Sequence, residues 1–261
     1  LRGQAGHDAF AAYARALLQP VADRLGWDGR ADESSGTQKL RRAVLGNLGA
    51  WGDAAVVAEA RRRFAAFAAD RSAVRPDDQE MVLSIVARNA DTASFEQLHA
   101  VARTARNDIE LQRYYAALSR VRDPLLAAQA ARVALSDEIS EQAQAVRLTL
   151  IVEIADQNPQ LAWTTFTRNA DLILKPQGQF APLIVAQDAP EAFWEGASPD
   201  VIEAWVRARV PAEMADSIAR GMESARFSIA EKSAIAQAAA RFIEADAGTA
   251  QSGGGTAALL P

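Results

Sequence analysis

Four joints constrain the fold of this sequence more than any other feature. "WGD", "NADT", "VRDP" and "DQNP" place Asp53, Asp91, Asp123 and Asn158 at intervals of 38, 32 and 35 residues. An Asp or Asn that precedes a helix accepts its unpaired first-turn amides. A Pro at the first helical position, as at Pro124 and Pro159, forfeits no hydrogen bond there. Two helices of about 12–15 residues and two short turns fill such a period. The expectation is an all-α chain, an irregular α-solenoid of HEAT/armadillo-like helix pairs. The tetratricopeptide pattern of Trp, Leu-Gly and Tyr does not recur.

Between the joints the periodicity is helical throughout, and no run alternates Val, Ile, Thr or Tyr with polar residues as a strand does. In "NDIELQRYYAALSRV", Leu111, Tyr114, Tyr115 and Leu118 form one apolar stripe. Leu40, Val44, Leu45, Leu48 and Trp51 form a second, and Val201, Ile202, Trp205 and Val206 a third. Helices are expected near 8–25, 37–51, 53–70, 77–90, 92–104, 107–121, 123–135, 140–156 and 158–173. A less regular stretch, "KPQGQFAPLIVAQDAP", follows. Shorter helices are expected near 179–187, 190–195, 198–208 and 211–222, and a longer one over 227–246. Residues 1–246 read as a single helical-repeat domain, and 247–261 as a flexible Gly-rich tail.

Composition matters for what it excludes. Hydrophobic residues make up 49% and aromatics 7%, so the core is built largely from alanine, as in close-packed helices. The net charge is -5 with both signs dispersed, which carries no nucleic-acid footprint. The triplet Arg61, Arg62 and Arg63 reads as a solvated helix face. Without cysteine there is no disulfide or thiolate metal site, and compartment is left open. No apolar run approaches the roughly 18 residues of a membrane span, and no signal peptide is evident. The first residue is Leu rather than Met, which reads as a piece of something longer or a processed product.

Chemistry is sparse. His7 and His99 are far apart and lack the H-E-x-x-H spacing, so His99 reads as a surface or satisfied half-buried histidine. The pairs Asp77/Asp78 and Asp137/Glu138 read as helix-start acids complementing the dipole. Each of the five tryptophans defaults to packing. Tyr114 and Tyr115 diverge by about 100° on a helix, so at least one is expected to point away from the deepest core. With Arg113, a tyrosine on a concave solenoid face could hold a peptide carboxylate; the plainer reading is a solvated Arg and a packed Tyr.

The order of features resembles a known family. "FAAYARALLQPVADRLGW" precedes an acidic loop with Glu33, then "LRR" at Leu40 to Arg42, a helix ending in "WGD" and another ending in "RRRFAAF". "NDIELQRYYAALSRVRDPLLAAQAARVAL" and "NPQLAWTTFTRN" come later. This order resembles the C-terminal helical domain of zinc aminopeptidases of the aminopeptidase N, puromycin-sensitive and endoplasmic-reticulum types, over roughly residues 8 to 245. The matching positions include Gly26, Trp27, Glu33, Leu40, Arg41, Glu110, Asp123, Pro124, Asn158, Trp163, Arg168 and Asn169. Ala170 departs from it, where the family often carries Trp.

The resemblance implies a non-catalytic domain. It closes the active-site chamber of an aminopeptidase and helps to bind and limit peptide substrates. The partners it implies are an N-terminal catalytic domain of the same polypeptide, which holds the zinc, and peptides. No cofactor is expected in this chain, and neither nucleic acid nor membrane as a partner. Arg113, Tyr114, Arg168 and Asn169 are the candidate peptide-binding residues. Trp27, Glu33, Arg41 and Trp163 are the candidate structural motif, with Trp27 packing helix ends, Glu33 pairing with a nearby Arg and Leu40 continuing the core. Two other readings stand beside it: a free-standing α-solenoid scaffold that binds a partner protein, and a helical enzyme with a new carboxylate site.

Overall fold

A computed structural model describes residues 7–30 and 32–252, with side chains through Phe242. The described residues are helical with short turns, and none of them forms a strand. Nine helices follow the expected rhythm: α1 (His7–Leu25), α2 (Ser35–Ala50), α3 (Ala54–Ala69), α4 (Pro76–Arg88), α5 (Thr92–Ala102), α6 (Asp108–Ser119), α7 (Pro124–Leu135), α8 (Val146–Ala155) and α9 (Pro159–Arg168).

The joints work largely as their chemistry requires. The Asp53, Asp91 and Asp123 side chains accept the amides of Val56, Ser94 and Leu125 at 2.8 to 2.9 Å. Asn158 departs from this: it makes no side-chain cap. Its Nδ2 instead donates to the Val121 carbonyl, 3.0 Å away, and ties the start of α9 to the α6–α7 joint. Asn107 caps α6 by accepting from the Glu110 amide, while the Glu110 carboxylate reaches back to the Arg106 amide, each at 2.9 Å. That reciprocal arrangement satisfies a first-turn donor at Glu110 and the amide of Arg106 just ahead of the cap.

Packing follows a simple order. Helices α2, α4, α6 and α8 touch in succession, and each also packs on the odd-numbered helix that follows it. α6 is therefore enclosed by α4, α5, α7 and α8, and residues 114–119 are all buried. One continuous apolar core runs from Ala22 to Met222. α2 presses close on α4 at Gly49, where a Cβ would lie 2.6 Å from two carbons of buried Ile85. Leu40 does not continue the core; it is 46% exposed, while Val44, Leu45 and Leu48 further along the same helix are buried.

Beyond α9 the regular pairing ends. α10 (Ala170–Leu174) leads into a 3-10 segment (Lys175–Phe180), α11 (Ala181–Leu183), a π-turn (Ile184–Asp188) and α12 (Ala189–Ala192). Pro176, Pro182 and Pro190 each remove a helical N–H donor, and Gly178 takes φ 54, so no long helix can form here. α13 (Pro199–Arg207) follows, then α14 (Ala215–Ser252).

α14 is one continuous helix where two were expected, over 211–222 and 227–246. Gly221 lies inside the helix, where a Cβ would stand 2.3 Å from the Ala186 carbonyl oxygen. Its lack of a side chain lets α14 press onto the π-turn. The Gly-rich tail expected over 247–261 overlaps the end of this helix, and 253–261 lie outside the described residues.

Candidate functional site

The loop after α1 is closed by a set of ion pairs. Gly26 at φ 60 ends α1 in the left-handed region. Arg41, from the second turn of α2, donates Nε to the Leu25 and Gly26 carbonyls at 3.2 and 3.1 Å. Its two terminal nitrogens grip the Glu33 carboxylate in a fork, and both side chains are buried by the surrounding protein. The hydrogen bonds from Arg41 hold the Glu33 carboxyl below the usual range, against the opposing effect of burial. Trp27 is half-buried, with the Arg63 guanidinium 5.0 Å from its ring centroid. Arg63 also bonds Asp28 at 2.9 Å and Glu59 at 2.8 Å, so this member of the arginine triplet braces the loop rather than facing water. The loop therefore joins two helices through internal partners.

The candidate peptide-binding residues do not form one cluster. Arg113 donates to Gln79 Oε1 at 2.7 Å. Tyr114 is 2% exposed, its ring edge-on to Phe67 at 5.8 Å with Arg71 above it. Tyr115 is buried too, and its hydroxyl donates to Glu138 at 3.3 Å. The expectation that one tyrosine points away from the core fails because α6 has packed neighbours on several sides. Arg168 is exposed at the end of α9, and Asn169 closes that helix by donating to the Thr165 carbonyl at 2.8 Å. In the packing order α8 stands between α6 and α9. Trp163 is buried among Phe166, Phe193 and Trp205, where α9 meets α12 and α13.

A groove of about 440 Å³ lies elsewhere, along α2 and α4 to the end of α6. Arg42, Gly46 and Asn47 line it from α2; Asp77, Glu80, Ser84 and Arg88 from α4; Arg120 closes its end. Arg120 bonds Glu153 at 2.8 Å and Glu80 at 3.2 Å, and Arg42 lies 3.5 Å from Asp78. Arg88 pairs with Asp156 at 2.9 Å, while its buried Nε has no hydrogen-bond partner. The wall thus carries both signs of charge together with polar groups. Asp77, Glu80, Ser84 and Arg88 follow a helical stripe that the sequence displays, but Asp77 was read only as a dipole-complementing acid.

Glu138 also departs from expectation. It starts no helix; it sits in the turn after α7. There it meets His99 Nε2 at 2.8 Å and accepts from Arg103 at 2.9 Å. The Arg103 hydrogen bond, with a further contribution from His99, holds its carboxyl down at about 2. Among the described residues, no group of three or more His, Cys, Asp or Glu side chains is placed to hold a metal ion.

Comparison with known proteins decides the family. A sequence model described as the ERAP1-like C-terminal domain matches residues 2–227. This chain belongs to that family. Among curated proteins, aminopeptidase M1 of Arabidopsis thaliana is 33% identical over 131 residues, 48% of this chain and 15% of its own length. Aminopeptidases M1-D and M1-A of Oryza sativa subsp. japonica are 27% and 26% identical over 61% and 60% of this chain. The ERAP1-like domain described here thus spans less than a fifth of each of these relatives.

Proposed function

We propose that this chain is the non-catalytic C-terminal part of a zinc-dependent aminopeptidase. In this reading the helix pairs form a HEAT/armadillo-like solenoid that closes over a catalytic domain of the same polypeptide. The layer built from α2, α4 and α6 walls the chamber and bears on the far part of a bound peptide. The single observation that carries the reading is the family match over residues 2–227, joined to relatives that are aminopeptidases of much greater length.

The groove supports the rest. A peptide backbone offers donors and acceptors at every residue, and a wall of both signs with Asn47 and Ser84 can meet either. Of the original candidates, exposed Arg168 suits ligand contact best, and Arg113 and Asn169 are held by internal partners. Tyr114 serves the site by fixing α6. The residues present do not fit a zinc ion: His99 is engaged with Glu138, His7 bonds Asp8, and among the described residues no group of three or more His, Cys, Asp or Glu is placed to hold one. No chemical step is therefore assigned to this chain.

The test compares this chain with the longer polypeptide on aminoacyl amides. The reading expects turnover by the longer polypeptide alone, abolished by a chelator that leaves the unfolding curve of this chain unchanged. Turnover by the chain itself would overturn it.

A further inference from the structure

α14 is held to the rest of the molecule unequally along its length. In its first part the inward stripe is fully covered: Ile218, Met222 and Ala225 are 2%, 1% and 1% exposed, and Gly221 is pressed against the π-turn. At 100° per residue the same stripe runs on through Ile229, Lys232, Ala236 and Ala239. There the cover thins, and between Arg226 and Phe242 only Ala236 is buried. A face of alanine and lysine removes little apolar surface from water, and apolar area is what holds a helix to its neighbours. The large side chains of this stretch point elsewhere: Phe227, Ile235 and Phe242 are 67%, 61% and 52% exposed.

The remaining ties are light. Lys232 pairs with Glu195 and lies 5.1 Å from the centre of the Trp194 ring. Arg226 bonds Glu203 at 2.9 Å, and Phe242 meets Tyr13 of α1 edge-on at 5.2 Å. The four side chains of the two ion pairs are 25% to 55% exposed, where such pairs contribute little. The stretch is also a wall. Lys232, Ile235, Ala236 and Ala239 line a cleft of about 320 Å³ together with Ala50 and Trp51 at the end of α2. Ala50 and Arg88 line both this cleft and the groove along α2 and α4, so the cleft prolongs the groove and α14 closes it in.

We propose that residues 226–242 of α14 act as a strap over the end of the groove. The strap lifts from α1 and α2 in a local opening while Ile218, Met222 and Ala225 stay seated, and the lifted state joins cleft and groove into one longer channel. A segment with few buried apolar contacts opens at a lower free energy than the core it lies on. The opening follows from this chain's own packing; its bearing on peptides rests on the proposed function. There the closed strap shortens the groove and the lifted strap extends it.

The chain has no cysteine, so one introduced thiol reports opening at one place. Ala236 and Ala225 are 5% and 1% exposed, and the test follows maleimide labelling of Ala236→Cys and Ala225→Cys. Ala236→Cys is expected to label at least about a hundredfold faster, as a local opening requires. Low urea should change that rate little, since a local opening exposes little surface. Adding Lys232→Ala removes the pair with Glu195 and is expected to speed it about threefold more. Hydrogen exchange of the unaltered chain needs neither variant: amides 226–242 should exchange at least about a hundredfold faster than amides 218–225. Equal rates at the two places, or labelling of Ala236→Cys that rises with urea as steeply as global unfolding, would overturn the strap. In the longer polypeptide, Lys232→Ala is expected to change KM for a long peptide by about threefold and to leave an aminoacyl amide unaffected. Fast labelling with an unchanged KM would overturn the strap's hold on the groove. A longer polypeptide without turnover would overturn the proposed function and leave the labelling result standing.

Discussion

Two glycines one turn apart on α2 should respond oppositely to the same substitution. Gly46 has no atom within 4 Å of the position a Cβ would take. Gly46→Ala therefore gains helix propensity alone, about 1 kcal/mol. For a chain of this size that raises the unfolding midpoint by about 2–4 °C. At Gly49 the added carbon would stand 2.6 Å from Ile85 Cγ1 and Cγ2 and 3.1 Å from its Cβ. Ile85 is β-branched and 1% exposed, so it has no second place to go. Overpacking of this kind costs about 1–3 kcal/mol, and the contact lies at the severe end. Subtracting the propensity gain leaves Gly49→Ala about 2 kcal/mol less stable. α2 must also back away from α4, which stretches the 2.9 Å bond from Asn89 Nδ2 to the Gly49 carbonyl. Urea unfolding of both variants beside wild type is the assay. Midpoints that move in the same direction would refute the close approach of α2 and α4, and with it the floor of the groove.

Phe166→Ala should cost about 3–5 kcal/mol by calorimetry, because Phe166 is fully buried and stacked on Phe193 at 4.6 Å. A loss below about 1 kcal/mol would mean that α9 does not anchor the later helices. Asn158→Ala should destabilise by about 1–3 kcal/mol, since it orphans the Val121 carbonyl; a change typical of a simple exposed site would contradict that bond. The Glu138 carboxyl lies at about 2 in the folded chain against an ordinary 4.5, so its contribution is complete above about 4.5 and fades as pH falls toward 2. Glu138→Gln should lower stability at neutral pH and flatten the acid limb of the stability profile. Some slope should remain, because Glu59 is also held at about 2, chiefly by Arg62. An unchanged acid limb would contradict the His99–Arg103–Glu138 geometry.

The helix order was legible because its punctuation is local chemistry. Asp53, Asp91 and Asp123 each cap within three residues, so short-range sequence suffices to place them. The break expected between 222 and 227, and the side-chain cap expected of Asn158, failed for the opposite reason. The contacts that matter there, Gly221 on Ala186 and Asn158 on Val121, join residues 35 and 37 positions apart, and no local pattern reports them. The same limit governs the candidate site. Tyr114 sits on a readable stripe, but only the packing order shows that α6 is enclosed by its neighbours. The groove stripe Asp77, Glu80, Ser84 and Arg88 was present in the sequence, but its companions on α2 and α6 are brought to it by the fold. Glu33 was expected, on the resemblance, to pair with a nearby Arg; the fold selects Arg41, 8 residues away.

The central claim is that the groove wall touches peptide beyond the cleaved end. The measurement is kcat and KM of the longer polypeptide for a single-residue aminoacyl amide and for a long peptide, in wild type and in Ser84→Trp. Ser84 lines the groove, and the indole would occupy it. The account predicts an unchanged aminoacyl amide reaction and a KM for the long peptide raised about tenfold, equivalent to about 1.4 kcal/mol of lost binding. Equal kinetics on the long peptide in both proteins, with the variant folded, would contradict it.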